Sequence, residues 1–512
     1  MTVKLDVSLS EIKNDLPASI VVFFVALPLC LGIALASGAP LFSGVISGII
    51  GGIVVGLASG SRLGVSGPAA GLAVIVFDAI ATLGSWEIFL CAVVLAGVFQ
   101  LILGFLRAGF IAYFFPTSVI TGMLAGIGVL IVLKQLPYLF GWHADFLGEE
   151  AFMQVNGENT FTAIQHAFSS MSMTAVGISV FSLAVLIIWD KYLTHKHKAF
   201  QLLQGPIVVV LMGIVISMVL AQMGTPLTRE QLVSLPVMDS FDAFKAEIAF
   251  PALSEIFNIN VITIALVMAA VASIETLLCV EATDKLDPEK NTTPTNRELK
   301  AQGIGNILSG LVGGLPITQV IVRSSANIAF GGKTKLSAIL HGVFLLVAVM
   351  AMASLLNQIP LASLAAILVI VGYKLAKPAM FKIMYQTGWE QFIPFVTTIA
   401  VMLFTDLLSG VVAGLGMSVF FTLKHSYRNC YQFTEIVNEE EGQKIHHIVM
   451  AEEVSFFNKP SILKKLNSIP ENSKVILDFT KSKSVAYDVT EMIKDYLDQA
   501  SSKNISVEMK QL

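Results

Sequence analysis

The chain of 512 residues has little charge and few cysteines, and it lacks the short motifs that mark common enzymes. No P-loop, HExxH, GxSxG or CxxC occurs, so we expect no enzyme, no metal centre and no cofactor. The four cysteines lie in apolar segments or near the C-terminal region, which argues against disulfides. Charged residues make up 13% of the chain and the formal net charge is -4, which argues against nucleic-acid binding.

Apolar runs of membrane-spanning length recur through most of the sequence. Hydrophobic residues make up 55% of the chain, and its mean hydropathy is +0.77. Runs of this length predict a polytopic α-helical membrane protein with fourteen transmembrane segments. The predicted segments fall near 19–38, 41–59, 67–82, 86–106, 117–137, 172–190, 205–223, 259–281, 302–316, 323–332, 337–357, 360–376, 390–406 and 408–424.

Charged residues become frequent after residue 424, which marks the end of the membrane domain. We therefore expect a cytoplasmic N-terminal segment at 1–18, a transmembrane domain at 19–424 and a cytoplasmic domain at 425–512. The last of these contains short strand-like runs, HHIVMAEEVSFF, KVILDF and ISVEM. Two stretches with helical spacing, Pro460–Leu466 and Thr490–Gln499, lie between them, which predicts a small α/β unit.

The third and tenth membrane segments are short and open on extended, Gly/Pro/Ser-marked chain. They read GVSGPAAGLAVIVFDAI, opening near Ser66, and PITQVIVRSSANIAFGG, opening near Arg323. Two sets of seven segments, each with a broken helix in third place, predict a 7+7 inverted repeat, a common device of secondary transporters. Two helix N-termini that face each other at mid-membrane would attract an anion.

Loop charges predict the orientation. Basic residues such as Arg62, Arg107 and Lys285 fall on the side of the N-terminus, whereas the opposite loops carry acids such as Asp145 and Glu149. The positive-inside rule then predicts that both termini lie in the cytoplasm, with the chain spanning the membrane among its lipids.

The chain resembles the SulP (solute carrier family 26) inorganic anion transporters over nearly its whole length. The resemblance rests on ALPLCLGIALASGAPLFSGVISGIIGGIV, VSGPAAG, IETLL, NRELKAQGIGNILSGLVGGLPITQVIVRSSAN and GGKTKLSAILHG. It implies a core domain that contains half-helices 3 and 10, a gate domain, an elevator-like motion of the core and a homodimer. The tail is similar to the STAS domain that this family carries at its C-terminus.

One segment of the tail departs from the STAS pattern. Such domains have a stretch resembling DSSG before a helix, and the matching residues here are Asp488-Val489-Thr490-Glu491. The serine that is phosphorylated in STAS relatives would be Val489. We therefore expect an assembly role rather than phosphoregulation.

The openings of the two half-helices are the predicted substrate site. Ser66, Gly67, Pro68 and Ala69 let backbone approach a ligand, although a serine there is also a good helix cap. Arg323 lies in an apolar segment, where an arginine is a functional candidate unless it snorkels or is paired for structural reasons.

Three further sets of residues complete the predicted site. The hydroxyls of Ser324 and Ser325 could donate to oxyanion oxygens. Leu29 and Ile33 lie one turn apart on the first segment, where the resemblance places the pocket lining, although ordinary packing would also explain them.

Glu275 is the acid well inside the eighth segment, and it is a candidate for cation coupling. A buried carboxylate suits a proton carrier or a partner for Arg323. Some sodium-coupled relatives have a hydroxyl one turn later, where this chain has Cys279, a poor ligand for a hard cation, and this favours a proton as the coupling ion. Thr276 keeps sodium open as an alternative.

The sequence thus predicts secondary active transport of a small inorganic oxyanion, bicarbonate or sulfate, as a symport with H⁺ or Na⁺. Two alternatives remain open. The first is a dicarboxylate or nucleobase carrier of the same fold, and the second is an anion channel.

Overall fold

The computed structural model describes residues 9–142, 152–153, 159–193, 204–234, 248–437 and 444–511. It contains two compact units, Met1–Leu415 and Gly416–Leu512. Several acids of the predicted outward loops, including Asp145 and Glu149, lie outside the described residues. The domain limits proposed above stay predictions.

In the residues that the structure describes, the first half of the membrane unit contains eight main helical segments and one short strand. They are α1 (Leu9–Ala36), α2 (Leu41–Ala58), β1 (Ser66–Pro68), α3 (Ala70–Leu83), α4 (Trp86–Phe105), α5 (Thr117–Leu139), α6 (Thr160–Ser169), α7 (Met173–Leu193) and α8 (Gly205–Gln222).

The second half repeats this order, with its own strand before a short helix. Its elements are α9 (Ile259–Leu286), α10 (Thr295–Leu311), β2 (Ile317–Gln319), α11 (Ile321–Ala329), α12 (Leu336–Ala351), α13 (Leu361–Leu375), α14 (Pro378–Thr387), α15 (Trp389–Phe404) and α16 (Leu407–Arg428).

In the described part of the chain, nine helices are long and apolar enough to cross a membrane, and three shorter apolar helices accompany them. The predicted polytopic helical architecture is therefore confirmed. The half-helix α11 is too short to cross a membrane. It has 9 residues, which gives about 14 Å of helix at about 1.5 Å per residue, whereas the hydrocarbon layer is about 30 Å thick.

Glycines let the two halves pack closely and in equivalent ways. A Cβ at Gly97 of α4 would lie 2.7 Å from the carbonyl oxygen of Gly303 on α10. In the matching place of the other half, a Cβ at Gly52 of α2 would lie 2.7 Å from the Cα of Gly342 on α12. The second helix of each half thus packs on the fourth helix of the other, as an inverted repeat requires.

The fifth segments of the two halves, α5 and α13, pack on each other in the same way. A Cβ at Gly128 would lie 2.6 Å from the carbonyl oxygen of Gly372, and one at Gly372 would lie 2.7 Å from that of Gly128. Both helices also begin directly after a proline, Pro116 or Pro360, whose fixed φ suits a helix start. Equivalent elements of the repeat therefore meet at this contact.

Two helices begin well before their predicted first residues. α1 begins at Leu9, ten residues before the predicted span, and its buried Asp15 accepts hydrogen bonds from the backbone of Lys333 and Thr334 at 2.7 and 3.0 Å. α10 begins at Thr295 rather than near 302. Its polar first turns are buried by protein rather than by lipid, so an apolar window starts too late.

The C-terminal unit is a small α/β fold, as predicted. Its strands β3 (Tyr431–Val437), β4 (Lys444–Met450), β6 (Lys474–Asp478) and β8 (Ser506–Lys510) lie side by side in this order, with β3 antiparallel and the others parallel. A second pair joins β5 (Glu453–Val454) to β7 (Ser484–Val485), and the helices are α17 (Lys459–Asn467) and α18 (Tyr487–Ser502).

The hydrophobic core of this unit explains why α18 forms. Val489, Met492, Ile493 and Tyr496 recur at helical spacing and are buried, in contact with strand residues such as Val475. The strand β3 was not predicted, although YQFTEIV begins with the polar–apolar alternation that is typical of a half-buried strand.

Candidate functional site

The two half-helices of the membrane unit meet through their leading strands. β1 and β2 pair antiparallel, with Ser66 opposite Gln319 and Pro68 opposite Ile317. A Cβ at Gly51 of α2 would lie 2.4 Å from the carbonyl oxygen of Ser66, so α2 packs directly on the backbone of β1. The pairing joins one segment from each half at the centre of the unit.

Both half-helices begin without a side-chain cap. The N-cap residues are Ala69 for α3 and Val320 for α11, and no side chain in the described structure caps either end. By contrast, Ser85 caps α4 and Asn258 caps α9. First-turn N–H groups of α3 and α11 therefore remain available to a ligand, and Ser66 is not the helix cap that the sequence had left open.

Arg323 is the third residue of α11 and is almost fully buried, 1% exposed. Its Nη2 donates a hydrogen bond to the Sγ of Cys30 at 3.3 Å. Within the residues that the structure describes, its Nε and Nη1 have no hydrogen-bond partner. A buried guanidinium with two unused donors is a strong attractor for an anion.

A small cavity lies between α1, α3, α9 and α11. Its volume is about 30 Å³, where one buried water needs about 10–15 Å³. Five predicted residues line it: Leu29, Ile33, Pro68, Glu275 and Arg323. The lining residues that were not predicted to bind substrate are Ala70, Cys279, Val320, Ile321, Val322 and Leu407.

The serines of the tenth segment hold the local backbone. The hydroxyl of Ser324 donates to the carbonyl oxygen of Val320 at 2.7 Å and accepts from the N–H of Val65 at 3.0 Å. Ser325 donates to the carbonyl oxygen of Val322 at 2.9 Å. Each hydroxyl hydrogen is thus used within the protein, and neither serine lines the cavity.

Of the four predicted binding residues at the opening of the third segment, one lines the cavity and three do not. Ser66 and Gly67 belong to β1 and Ala69 ends the extended stretch, and these three lie beside the cavity rather than on its wall. Gly67 contacts Arg323 instead. Pro68 reaches the wall, where it faces the opening of α11.

Glu275 on α9 is 7% exposed and shares the cavity with Arg323. Its carboxylate lies next to the opening of α3, since a Cβ at Gly71 would be 3.2 Å from Oε2. The neighbouring Thr276 is fully buried, and its Oγ1 accepts a hydrogen bond from the N–H of Gln319 at 3.4 Å.

A buried polar stripe on α10 supports the strands β1 and β2, and it was not among the predicted site residues. Gln302 donates to the Oγ of Ser66 at 2.7 Å and to the Oε1 of Glu298 at 2.9 Å, while Ser59 donates to the Oε2 of Glu298. Asn306 donates to the carbonyl oxygen of Ile317 at 2.9 Å and accepts from its N–H. The i, i+4, i+8 spacing of the three polar residues places them on one helix face and was the available signal.

The C-terminal unit places the segment that was compared with DSSG at the start of α18. Val489, at the position of the serine, is fully buried in the hydrophobic core. Near the end of β6, hydrogen bonds from the side chain and backbone of Thr480 lower the pKa of Asp478 to about 2. Nothing in the described unit singles out a ligand site.

Comparison with known proteins assigns the chain to a family. A family model described as the sulfate permease family matches residues 12–400. The chain belongs to the sulfate permease family. The match covers every membrane segment up to α15, including both half-helices and the residues that line the cavity before Leu407.

Relatives of the chain include sulfate and bicarbonate transporters. YvdB of Bacillus subtilis, named as a candidate sulfate transporter, is 28% identical over 434 residues, which span 85% of this chain and 77% of that protein. The bicarbonate transporter BicA of Picosynechococcus is 26% identical over 423 residues, 81% of this chain and 70% of its own. These relatives are transporters, not enzymes.

Solved structures show the same fold. SLC26A9 superposes with a TM-score of 0.68 at 16% identity and covers 98% of this chain and 84% of its own. The transmembrane domain of BicA gives 0.53 at 24% identity, over 81% of this chain and 98% of its own. The chain is therefore a multi-pass membrane protein with that helical architecture.

Proposed function

We propose that this chain carries a small inorganic oxyanion, bicarbonate or sulfate, across the membrane by secondary active transport. The observation that carries the proposal is Arg323, a buried cation whose Nε and Nη1 donors are unused by the described residues, at the meeting point of two uncapped half-helices. Guanidinium donors and helix N-termini both favour negative charge. The names of the relatives support the same substrate class.

The size of the cavity favours an inorganic ion. At about 30 Å³ it has room for about two or three water-sized groups. A bicarbonate or sulfate ion is of this scale, whereas a nucleobase or dicarboxylate would require the lining helices to move apart.

Coupling to a cation is assigned to Glu275, with Thr276 as its neighbour. The carboxylate shares the cavity with Arg323 and approaches the opening of α3. Binding of H⁺ or Na⁺ there would offset a negative charge that otherwise repels the anion. We propose symport on this basis, and an elevator-like motion in which the β1–β2 pair carries both half-helices as one body.

Uptake into proteoliposomes tests the function. The purified chain should accumulate labelled bicarbonate or sulfate when a proton or sodium gradient is imposed, and Arg323→Ala should abolish uptake. Lack of accumulation of both anions under both gradients would refute the substrate assignment. Currents far above carrier turnover would favour an anion channel instead.

The C-terminal unit is proposed to be a STAS-type domain that serves assembly. The β3-β4-β6-β8 order with two helices supports this assignment. We further propose a homodimer in the bacterial inner membrane with both termini cytoplasmic. Light scattering in detergent and terminal reporter fusions test these two points, and a monomer or a periplasmic terminus would overturn them.

A further inference from the structure

Cys30 of α1 and Arg323 of α11 meet in the interior of the membrane unit. The thiol is 0% exposed, and its Sγ accepts the hydrogen bond from the guanidinium at 3.3 Å. Cys30 is not among the residues that line the cavity, and its hydrogen bond reaches the lining residue Arg323. No substrate role follows from the sequence for this thiol.

Two glycines leave the space in which the thiol and the guanidinium meet. A Cβ at Gly48 of α2 would lie 2.6 Å from the Sγ of Cys30 and 3.9 Å from Nη1 of Arg323. A Cβ at Gly67 of β1 would lie 2.0 Å from the same Nη1. The arginine is therefore enclosed by α1, α2 and β1 and has a defined position.

We propose that Cys30 is a positioning residue, which fixes Arg323 beside the two half-helix openings without neutralising its charge. A thiol sulfur is a weak hydrogen-bond acceptor, so the guanidinium keeps its positive potential. A carboxylate in the same place would form a charge-assisted pair and cancel that potential. The importance of the contact for transport rests on the proposed function, whereas the contact itself does not.

Transport kinetics of Cys30 variants test the role. Cys30→Ser keeps an acceptor, so KM for the anion should change by less than about threefold, while Cys30→Ala should raise KM by about five- to tenfold with kcat preserved. Cys30→Asp should raise KM by more than about 100-fold, because it pairs with Arg323. Cys91→Ala is the matched control, since this thiol is also buried but lies on α4 and donates to Ala252.

Thermal unfolding of the full chain without any anion separates positioning from packing. Cys30→Asp should raise the melting temperature when Arg323 is present and lower it in the Arg323→Ala background, where the new carboxylate is buried without a cation. Opposite signs of the melting-temperature shift in the two backgrounds would support the contact between Cys30 and Arg323. If no anion were transported as well, that result would count against the proposed function and not against the contact. The same shift in both backgrounds, or an unchanged KM for Cys30→Asp, would overturn the proposal.

Discussion

Gly67 and Arg323 come from opposite halves of the chain, and the position of the arginine requires that residue 67 has no side chain. Nη1 of Arg323 occupies the place where a side chain at position 67 would start, since a Cβ there would lie 2.0 Å away. The glycine is needed for this close approach of a buried guanidinium to the backbone of β1. The contact makes the geometry of the candidate anion site depend on both halves of the repeat.

Gly67→Ala should displace the guanidinium. The 2.0 Å overlap cannot be absorbed without movement of Arg323 or β1. We expect KM for the transported anion to rise by at least about tenfold, measured by uptake into proteoliposomes. Gly177→Ala on α7 is the control, because a Cβ there has nothing within 4 Å. Equal KM values for the two variants would contradict the site geometry.

Glu275→Gln should uncouple transport from the cation gradient. The substitution keeps the shape of the side chain and removes its charge and its titration, so accumulation driven by a proton or sodium gradient should be lost. Exchange of anions at equal concentrations should persist, because Arg323 is unchanged. Glu87→Gln, at an exposed position in the first turn of α4, is the control. Gradient-driven accumulation at the wild-type level would exclude Glu275 as the coupling group.

Gln302→Leu should destabilise the membrane unit. The amide is fully buried and donates to both Ser66 and Glu298. Its removal leaves the two buried acceptors without this donor, and each unsatisfied group lowers the free energy of unfolding by about 1–3 kcal/mol. The melting temperature in detergent should fall clearly below that of Gln391→Leu, whose side chain is exposed. If the two variants melt alike, the stripe on α10 does not support β1.

Val489→Ser should fail to restore a phosphorylation site. The side chain at 489 is fully buried, so a kinase has no access to it, and the new hydroxyl would be placed in the core. We expect a destabilisation of roughly 1–3 kcal/mol and no phosphate by mass spectrometry after treatment with a broad-specificity kinase. The exposed neighbour gives the control variant Glu491→Ser. Stoichiometric phosphorylation at 489 would show that α18 opens readily.

The membrane segments could be predicted from the sequence wherever the apolar residues are the ones that face lipid. The fourteen predicted segments coincide with helices of the structure within several residues, and the third and tenth are short, as GVSGPAAG and PITQVIVRSS indicate. The exceptions are α1, which begins ten residues before the predicted span, and α10, whose first turns carry Glu298 and Gln302 into the protein interior. A hydropathy window measures transfer into lipid and is blind to a polar helix that is covered by other helices.

Within the site, the sequence identified which residues lie near the cavity but not which way their side chains point. Arg323, Glu275, Leu29, Ile33 and Pro68 line one cavity. The hydroxyls of Ser324 and Ser325 turn to backbone carbonyls instead, because residues one turn into a helix meet the preceding turn. Cys30 could not be identified from its own segment, since its contact with Arg323 spans 293 residues.

The order of apolar, polar and turn-forming residues determined by itself that this chain crosses a membrane many times, breaks two helices and ends in an α/β unit. These properties follow from local chemistry: the length of apolar runs, glycine and proline at the breaks, and strand alternation in the tail. Only the tertiary structure decided which hydrogen-bond donors of Arg323 have no partner among the described residues. That outcome depends on how β1 pairs with β2 and on which side chains α1, α2 and α10 bring to the pair, and such contacts between distant segments leave no local pattern in the sequence.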